Sequence, residues 1–168
     1  MRLQTLTGYH IRTPQALVSY CAYIQWATLA GLDLYFDATQ MDLNYCMAMS
    51  DAKQYSVSYG LPELWKLGSY EFLNLLNKTA KDLLDGISVT HKFTHYAAHA
   101  ETLSQFFDGL GLHQRGRSFP SSAMIFEFLK LCNSTLAVRL LYWEAGTQSE
   151  SVLHFPGQVT DFLTLENF

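Results

Sequence analysis

Apolar and polar positions change their spacing within residues 92–112, KFTHYAAHAETLSQFFDGLGL. Over residues 93–98 two sets of side chains alternate, which is typical of a short strand. After Glu101 the apolar positions take the three- and four-residue spacing of an amphipathic helix. Gly109 and Gly111 can then adopt a positive φ and end that helix. The pattern predicts a strand, a sharp turn at residues 99–101, and a helix.

A second apolar stretch covers residues 14–32 and contains no charged residue. Thr13 is a favourable N-cap, and Pro14 suits the first helical position. The length is near the lower limit for a membrane span. The polar side chains of Gln15, Ser19 and Gln25 and a helical apolar stripe favour a buried core helix instead.

Further elements follow from the same periodicity. A helix is predicted around residues 41–49, and a clearer one over residues 69–85, with Gly86 as its natural end. In that second helix the pattern predicts six inward positions: Phe72, Leu73, Leu76, Ala80, Leu83 and Leu84. Residues 123–130 contain too few polar side chains to distinguish a helix from a strand.

Composition and charge narrow the class of protein. The 168 residues are 49% hydrophobic and 15% charged, which suits a folded domain with a real core and argues against disorder. The net charge of −4 gives no support for a nucleic-acid partner. It also offers little long-range attraction to an anionic substrate, so a phosphate site would need local positive charge. Arg115 and Arg117 form a small basic loop that would either reach phosphate or stay solvated.

The cysteines indicate no metal centre. Cys21, Cys46 and Cys132 are odd in number and widely spaced, without a metal-ligand pattern, and no cofactor is expected. Asn77 and Asn133 each begin a sequence that fits the N-glycosylation signal, which also occurs by chance. The first thirteen residues do not have the layout of a signal peptide.

His99 and Glu101 are the candidate site residues. They lie where the predicted strand ends and the helix begins, and in open α/β sheets that edge binds ligands. A phosphate monoester needs N–H or cationic donors around its oxygens and an acid to protonate the leaving oxygen. A helix N-terminus adds free N–H groups and a partial positive charge. The structural alternative is that Glu101 only stabilises the first helical turn and His99 is an ordinary turn residue.

Residues 96–112, YAAHAETLSQFFDGLGL, resemble the C-terminal motif of the histidine acid phosphatases. The His-Ala-Glu form is that of multiple inositol polyphosphate phosphatases and related phytases. The resemblance implies that His99 binds phosphate and that Glu101 is the catalytic proton donor. It also implies an inositol polyphosphate or another phosphomonoester as substrate, and a secretory or vesicular location.

The same resemblance implies a fold. The chain would be α/β, the C-terminal part of a phosphoglycerate-mutase-like histidine phosphatase fold with a mainly helical N-terminal region. Residues 1–90 would be the helical region, and residues 91–168 the tail of the catalytic region. An antiparallel strand pair is implied after residue 120, with Asn133 and Ser134 near its turn.

One part of the family pattern is missing. The family nucleophile is a histidine within Arg-His-Gly-x-Arg-x-Pro, whereas this chain has only Tyr-His-Ile-Arg-Thr-Pro at residues 9–14. The glycine is absent, and His10 is one residue too close to Arg12. We therefore expect half of an active site, in a fragment, a truncated product or an inactive relative that binds phosphate. Self-association or pairing with an N-terminal half is expected to cover apolar strands that lack a neighbour.

Overall fold

The computed structural model describes residues 5, 8, 10–34, 37–56, 61–112 and 118–168. Their contacts divide the chain into two compact units, Met1–Val57 and Ser58–Phe168. The division at residue 90 that the sequence suggests concerns the organisation of the family and stays a prediction.

The first unit is built on two helices, α1 (Pro14–Leu29) and α2 (Gln40–Gln54). Thr13 is the N-cap of α1, where its Oγ1 accepts a hydrogen bond from the Ala16 N–H at 3.1 Å, and Pro14 lies in the first turn. Both roles confirm the prediction. The start of α2 is fixed by a capping box, in which Thr39 and Asp42 satisfy each other's free backbone N–H groups.

A disulfide joins these two helices. Cys21 of α1 and Cys46 of α2 are bonded, with their Cα atoms 4.5 Å apart. Both lie in the core of the first unit, which also contains Leu17, Tyr20 and Ile24. Cys132 is a free, exposed thiol.

The second unit combines two helices with an antiparallel sheet. The helices are α3 (Pro62–Leu84) and α4 (Ala100–Gly109). The strands are β1 (Ala123–Lys130), β2 (Leu136–Glu144), β3 (Ser149–Leu153) and β4 (Leu163–Thr164). β2 is central, since β1 pairs along one of its edges while β3 and β4 pair along successive parts of the other.

The core of the second unit lies between α3 and the sheet. Ala80, Val138 and Leu165 are its fully buried members, and they belong to α3, β2 and the C-terminal turn. Nearer the N-terminus of α3, the ring of Phe72 stacks on Phe106 of α4 with centroids 4.7 Å apart. Phe72 also meets Phe126 of β1 edge-on at 6.2 Å. This aromatic group fixes α4 against α3 and the sheet.

Two expectations at the element level are wrong. Residues 92–98 are not part of any strand, and residues 91–99 are all exposed. The alternation is present, but a strand requires a neighbour for its backbone groups, and the described residues provide none. The sequence pattern predicts that Leu84 faces inward, but it is 42% exposed. Leu84 is the last residue of α3, and the chain turns away from the helix at Gly86, whose φ is +72°.

The choice left open for residues 123–130 is settled as a strand. Asn133 and Ser134 lie in the connection to β2, as the resemblance implies. The described chain therefore mixes helices with an antiparallel sheet, which is compatible with the α/β class. Within the described residues, no helix is both long and apolar enough to cross a membrane.

Candidate functional site

His99 is the N-cap residue of α4. Its backbone is extended, with φ −101° and ψ 162°, and its carbonyl oxygen accepts hydrogen bonds from the N–H groups of Thr102 at 3.0 Å and Leu103 at 3.4 Å. The imidazole makes no capping hydrogen bond, and the residue is exposed. The backbone of His99 thus belongs to the helix start, while its side chain is available to a ligand.

Glu101 lies two residues later, in the first turn of α4. It is half-buried, between the exposed His99 and the buried Ser104. The first N–H groups of a helix have no partner inside the helix, and in α4 those of Ala100 and Glu101 are the first two. The structure places His99 and Glu101 at a helix start, but no strand precedes them in the described chain, so the sheet edge that the sequence predicts there is absent.

The other half of α4 holds this end in place. Phe107 packs edge-on against Tyr142 of β2, with ring centroids 5.1 Å apart. Gly109 approaches Ser69 of α3 so closely that a Cβ atom there would lie 2.8 Å from the Ser69 Oγ. Because the C-terminal half of α4 is packed this tightly, its N-terminus keeps a fixed direction relative to α3 and the sheet.

The segment that leads to the site is held at one point. The ring of Tyr96 meets Phe72 of α3 edge-on at 5.1 Å, although Tyr96 is 52% exposed. Phe72 therefore contacts both α4 and the segment before His99, which positions the turn between them. The rest of residues 91–99 faces solvent, and this stretch includes Lys92 and His95 as further positive or titratable side chains.

Two other pairs of ionisable side chains in the second unit are engaged with each other. Arg139 of β2 forms an ion pair with Glu127 of β1 at 2.6 Å, so its charge is already matched across the strand pair. In the C-terminal loops, the Nε2 atom of His154 lies 3.1 Å from the Oδ1 atom of Asp161. The sequence did not indicate this second pair, because two residues seven positions apart in a loop carry no periodic signal. Arg115 and Arg117 lie outside the described residues.

The N-terminal partial motif has a structural role. Thr13 and Pro14 begin α1, and both His10 and Arg12 are exposed. Tyr9 lies outside the described residues.

Among the described residues, no group of three or more His, Cys, Asp or Glu side chains could hold a metal ion.

Comparisons with known proteins add no family to this geometry. No family model matches the chain, and no curated protein matches it. The likeness to the histidine acid phosphatases therefore stays a prediction from the sequence, based chiefly on the residues around His99 and Glu101.

Proposed function

We propose that this chain carries the phosphate-contacting and proton-donating half of a histidine-acid-phosphatase-like site, for phosphomonoesters of the inositol polyphosphate class. One observation carries the proposal. His99 caps α4 with its backbone but not with its side chain, and Glu101 follows in the first turn. The imidazole, the carboxyl group and the free helix N–H groups therefore occupy one end of one helix.

The proposed chemistry assigns each group a step. A histidine nucleophile from outside this half attacks phosphorus, and the bond from phosphorus to the ester oxygen breaks. The leaving oxygen takes its proton from the Glu101 carboxyl group. His99 and the helix N–H groups stabilise the charge on the remaining phosphate oxygens. Water then attacks the phosphohistidine while the Glu101 carboxylate takes its proton, the bond from phosphorus to the histidine nitrogen breaks, and inorganic phosphate leaves.

A second candidate function is phosphate binding without turnover. The start of α1 at Thr13 and Pro14 favours this second function. Residues 9–14 lack the glycine and the spacing of the nucleophile motif, and Thr13 and Pro14 begin a helix instead. Covalent catalysis depends on a nucleophile that divides one difficult step into two. Without that residue, the chain would bind a phosphate ester and release it unchanged.

The test compares binding with turnover in the purified chain. We expect calorimetry to detect phytate binding that His99→Ala weakens, and phosphate release to stay at the uncatalysed rate. His91→Ala is the matched control, since His91 is also an exposed histidine in the same segment. No binding of phytate, or binding equally strong in the His99→Ala variant, would refute the proposal.

Two further measurements distinguish the candidates. Fusion to the N-terminal half of an active phosphatase, which supplies Arg-His-Gly-x-Arg-x-Pro, should give turnover if this chain is half of an enzyme. Binding without turnover in the fusion would favour the second function. Turnover by the chain alone that His10→Ala abolishes would show that His10 is the nucleophile despite its spacing.

A further inference from the structure

The connection between β1 and β2 is a tight turn with an exposed tip. The N–H of Ser134 donates to the carbonyl of Leu131 at 2.8 Å, and the N–H of Leu131 donates to the carbonyl of Thr135 at 2.9 Å. Ser134 has a positive φ of 68°. Cys132, Asn133 and Ser134 are all exposed, so the turn projects away from the sheet.

Asn133 has a defined orientation within this turn. Its Oδ1 accepts a hydrogen bond from the Thr135 N–H at 3.1 Å. This bond uses the amide oxygen, and the Nδ2 group makes no hydrogen bond within the described residues. Residues 133–135 read Asn-Ser-Thr, which fits the acceptor signal for an N-linked oligosaccharide, and Nδ2 is the atom to which the sugar is bonded.

An independent observation concerns the compartment in which the chain folds. The disulfide between Cys21 and Cys46 has both residues in the core of the first unit, at 0% and 1% exposure. Disulfides form and persist in oxidising compartments such as the secretory pathway, and they are rare where thiols are kept reduced. N-linked oligosaccharides are added in that same pathway, so a sequon in this chain would meet the enzyme that modifies it.

We propose that Asn133 is the acceptor of an N-linked oligosaccharide. A bulky, solvated sugar at this turn displaces no packed side chain, since its neighbours on both sides are exposed. The other sequon begins at Asn77 within α3, where the Thr79 hydroxyl donates to the Leu75 carbonyl at 2.9 Å. That sequon is locked into a helix once α3 forms, whereas the one at Asn133 stays accessible before and after folding.

The experiment uses the full chain, directed into the secretory pathway of eukaryotic cells, with Asn77→Gln present throughout so that only Asn133 can be modified. We expect the purified chain to lose mass on treatment with an N-glycan-specific amidase, and peptide mass spectrometry to place the sugar on Asn133. Asn133→Gln and Thr135→Ala should each abolish the shift. Ser134→Ala is the matched control and should keep it, because the middle position of the signal is free, and Thr135→Ser should keep it too.

A second measurement on the same molecules tests the compartment argument. Thiol labelling before and after reduction should show Cys21 and Cys46 oxidised and Cys132 free. The inference is overturned if the chain with this disulfide carries no sugar at Asn133, or if the shift survives Asn133→Gln. Reduced Cys21 and Cys46 in the secreted chain would also count against it. None of these readouts involves phosphate, so they are independent of the proposed function.

Discussion

Glu101 is a first-turn acid, and two other helices of the described chain also begin with one. Asp42 of α2 completes a capping box, where its carboxylate accepts hydrogen bonds from the N–H and the hydroxyl group of Thr39 at 2.9 and 2.6 Å. Glu63 of α3 makes no such box, because its N-cap, Leu61, has no side-chain capping bond. Glu101 resembles Glu63 in this respect. Its purely structural contribution is then limited to the helix dipole, about 0.3–1 kcal/mol.

Because the contribution of Glu101 to helix stability is this small, its role as the proton donor can be tested by substitution. In the chain completed by an N-terminal half, Glu101→Gln should lower kcat by about 10²–10⁴-fold, because general acid catalysis contributes that much. KM should change little, since a proton donor acts in the transition state. Steady-state kinetics on phytate across the acidic pH range measures both constants.

Glu63→Gln is the matched control for this change. Both substitutions remove a first-turn carboxylate, so both should lower the free energy of unfolding by a similar amount, under about 1 kcal/mol, and only Glu101→Gln should affect kcat. Full turnover in the Glu101→Gln enzyme would mean that Glu101 stabilises α4 and does nothing more. His99→Ala should differ from both, with kcat and affinity falling together, because it removes a phosphate contact.

The sequence predicts the role of a single residue correctly where that role depends only on nearby residues of the chain. Thr13 as N-cap and Gly86 as helix end depend on a few neighbouring backbone groups, and the sequence alone indicates them correctly. The Cys21–Cys46 bond depends on how α1 packs against α2, which no local pattern encodes, and the sequence did not indicate it. The position of His99 and Glu101 at a helix start was predictable because helix starts also depend on a few neighbouring residues.

At the scale of elements, α3 and α4 meet through small residues as well as through the stacked rings of Phe72 and Phe106. Gly68 lies against the Gln105 side chain, and Gly109 lies against Ser69. Ser69 is 1% exposed, and its hydroxyl donates back to the Trp65 carbonyl at 2.6 Å, so its polar group is satisfied within α3. The two helices can approach closely only because these positions carry so little volume.

Gly109→Ala tests this contact. An added Cβ would lie 2.8 Å from the Ser69 Oγ and 3.3 Å from the Leu73 Cδ1, and overpacking of this kind typically costs ~1–3 kcal/mol. Alanine recovers ~0.5–1 kcal/mol of helix preference, so we expect a net loss in the free energy of unfolding, measured with urea. Ser69→Ala removes the clashing oxygen and should restore stability in the double variant. A Gly109→Ala chain that is more stable than the parent would show that α3 and α4 are not in close contact.

The disulfide gives a second prediction for elements. It closes a loop of 25 residues between α1 and α2, so the entropy model gives about 3.5 kcal/mol of stabilisation. The double variant Cys21→Ser with Cys46→Ser should lower the free energy of unfolding by about this amount under oxidising conditions. Cys132→Ser should leave it unchanged, because Cys132 is free and exposed. Equal stability in all three chains would mean that the bond does not form in solution.

The sequence was least informative about the segment at residues 92–98. Its alternation satisfies the local requirement for a strand, but strand formation depends on a second chain segment that supplies hydrogen bonds. Residues 123–130 show the converse, since their composition left helix and strand equally open and pairing with β2 along their whole length made them a strand. Helix ends follow from local chemistry, whereas sheet membership follows from tertiary contacts that one sequence does not display.

At the scale of the whole molecule, the second unit exposes large apolar side chains. Leu67 on α3 is 80% exposed, Phe93 is 84% exposed, and Val159 in the C-terminal region is 91% exposed. Single exposed apolar residues are ordinary, but a monomer rarely leaves large apolar surface uncovered. Residues 92–98 belong to no strand, so they add backbone groups without strand partners, which are prone to pair with another chain.

We therefore expect the purified chain to self-associate, because apolar surface and unpaired backbone groups are both removed from water when two copies meet. Sedimentation velocity should show an average mass that rises with concentration, and an apolar dye should bind to the dilute chain and be released as the copies associate. The double variant Leu67→Gln with Phe93→Ser should weaken both effects while circular dichroism stays unchanged. Asn74→Ser, an exposed polar change on the same helix, is the control and should alter neither. A monomer that persists at high concentration and binds no dye would contradict this expectation, and the exposed side chains would then be isolated positions without a shared surface.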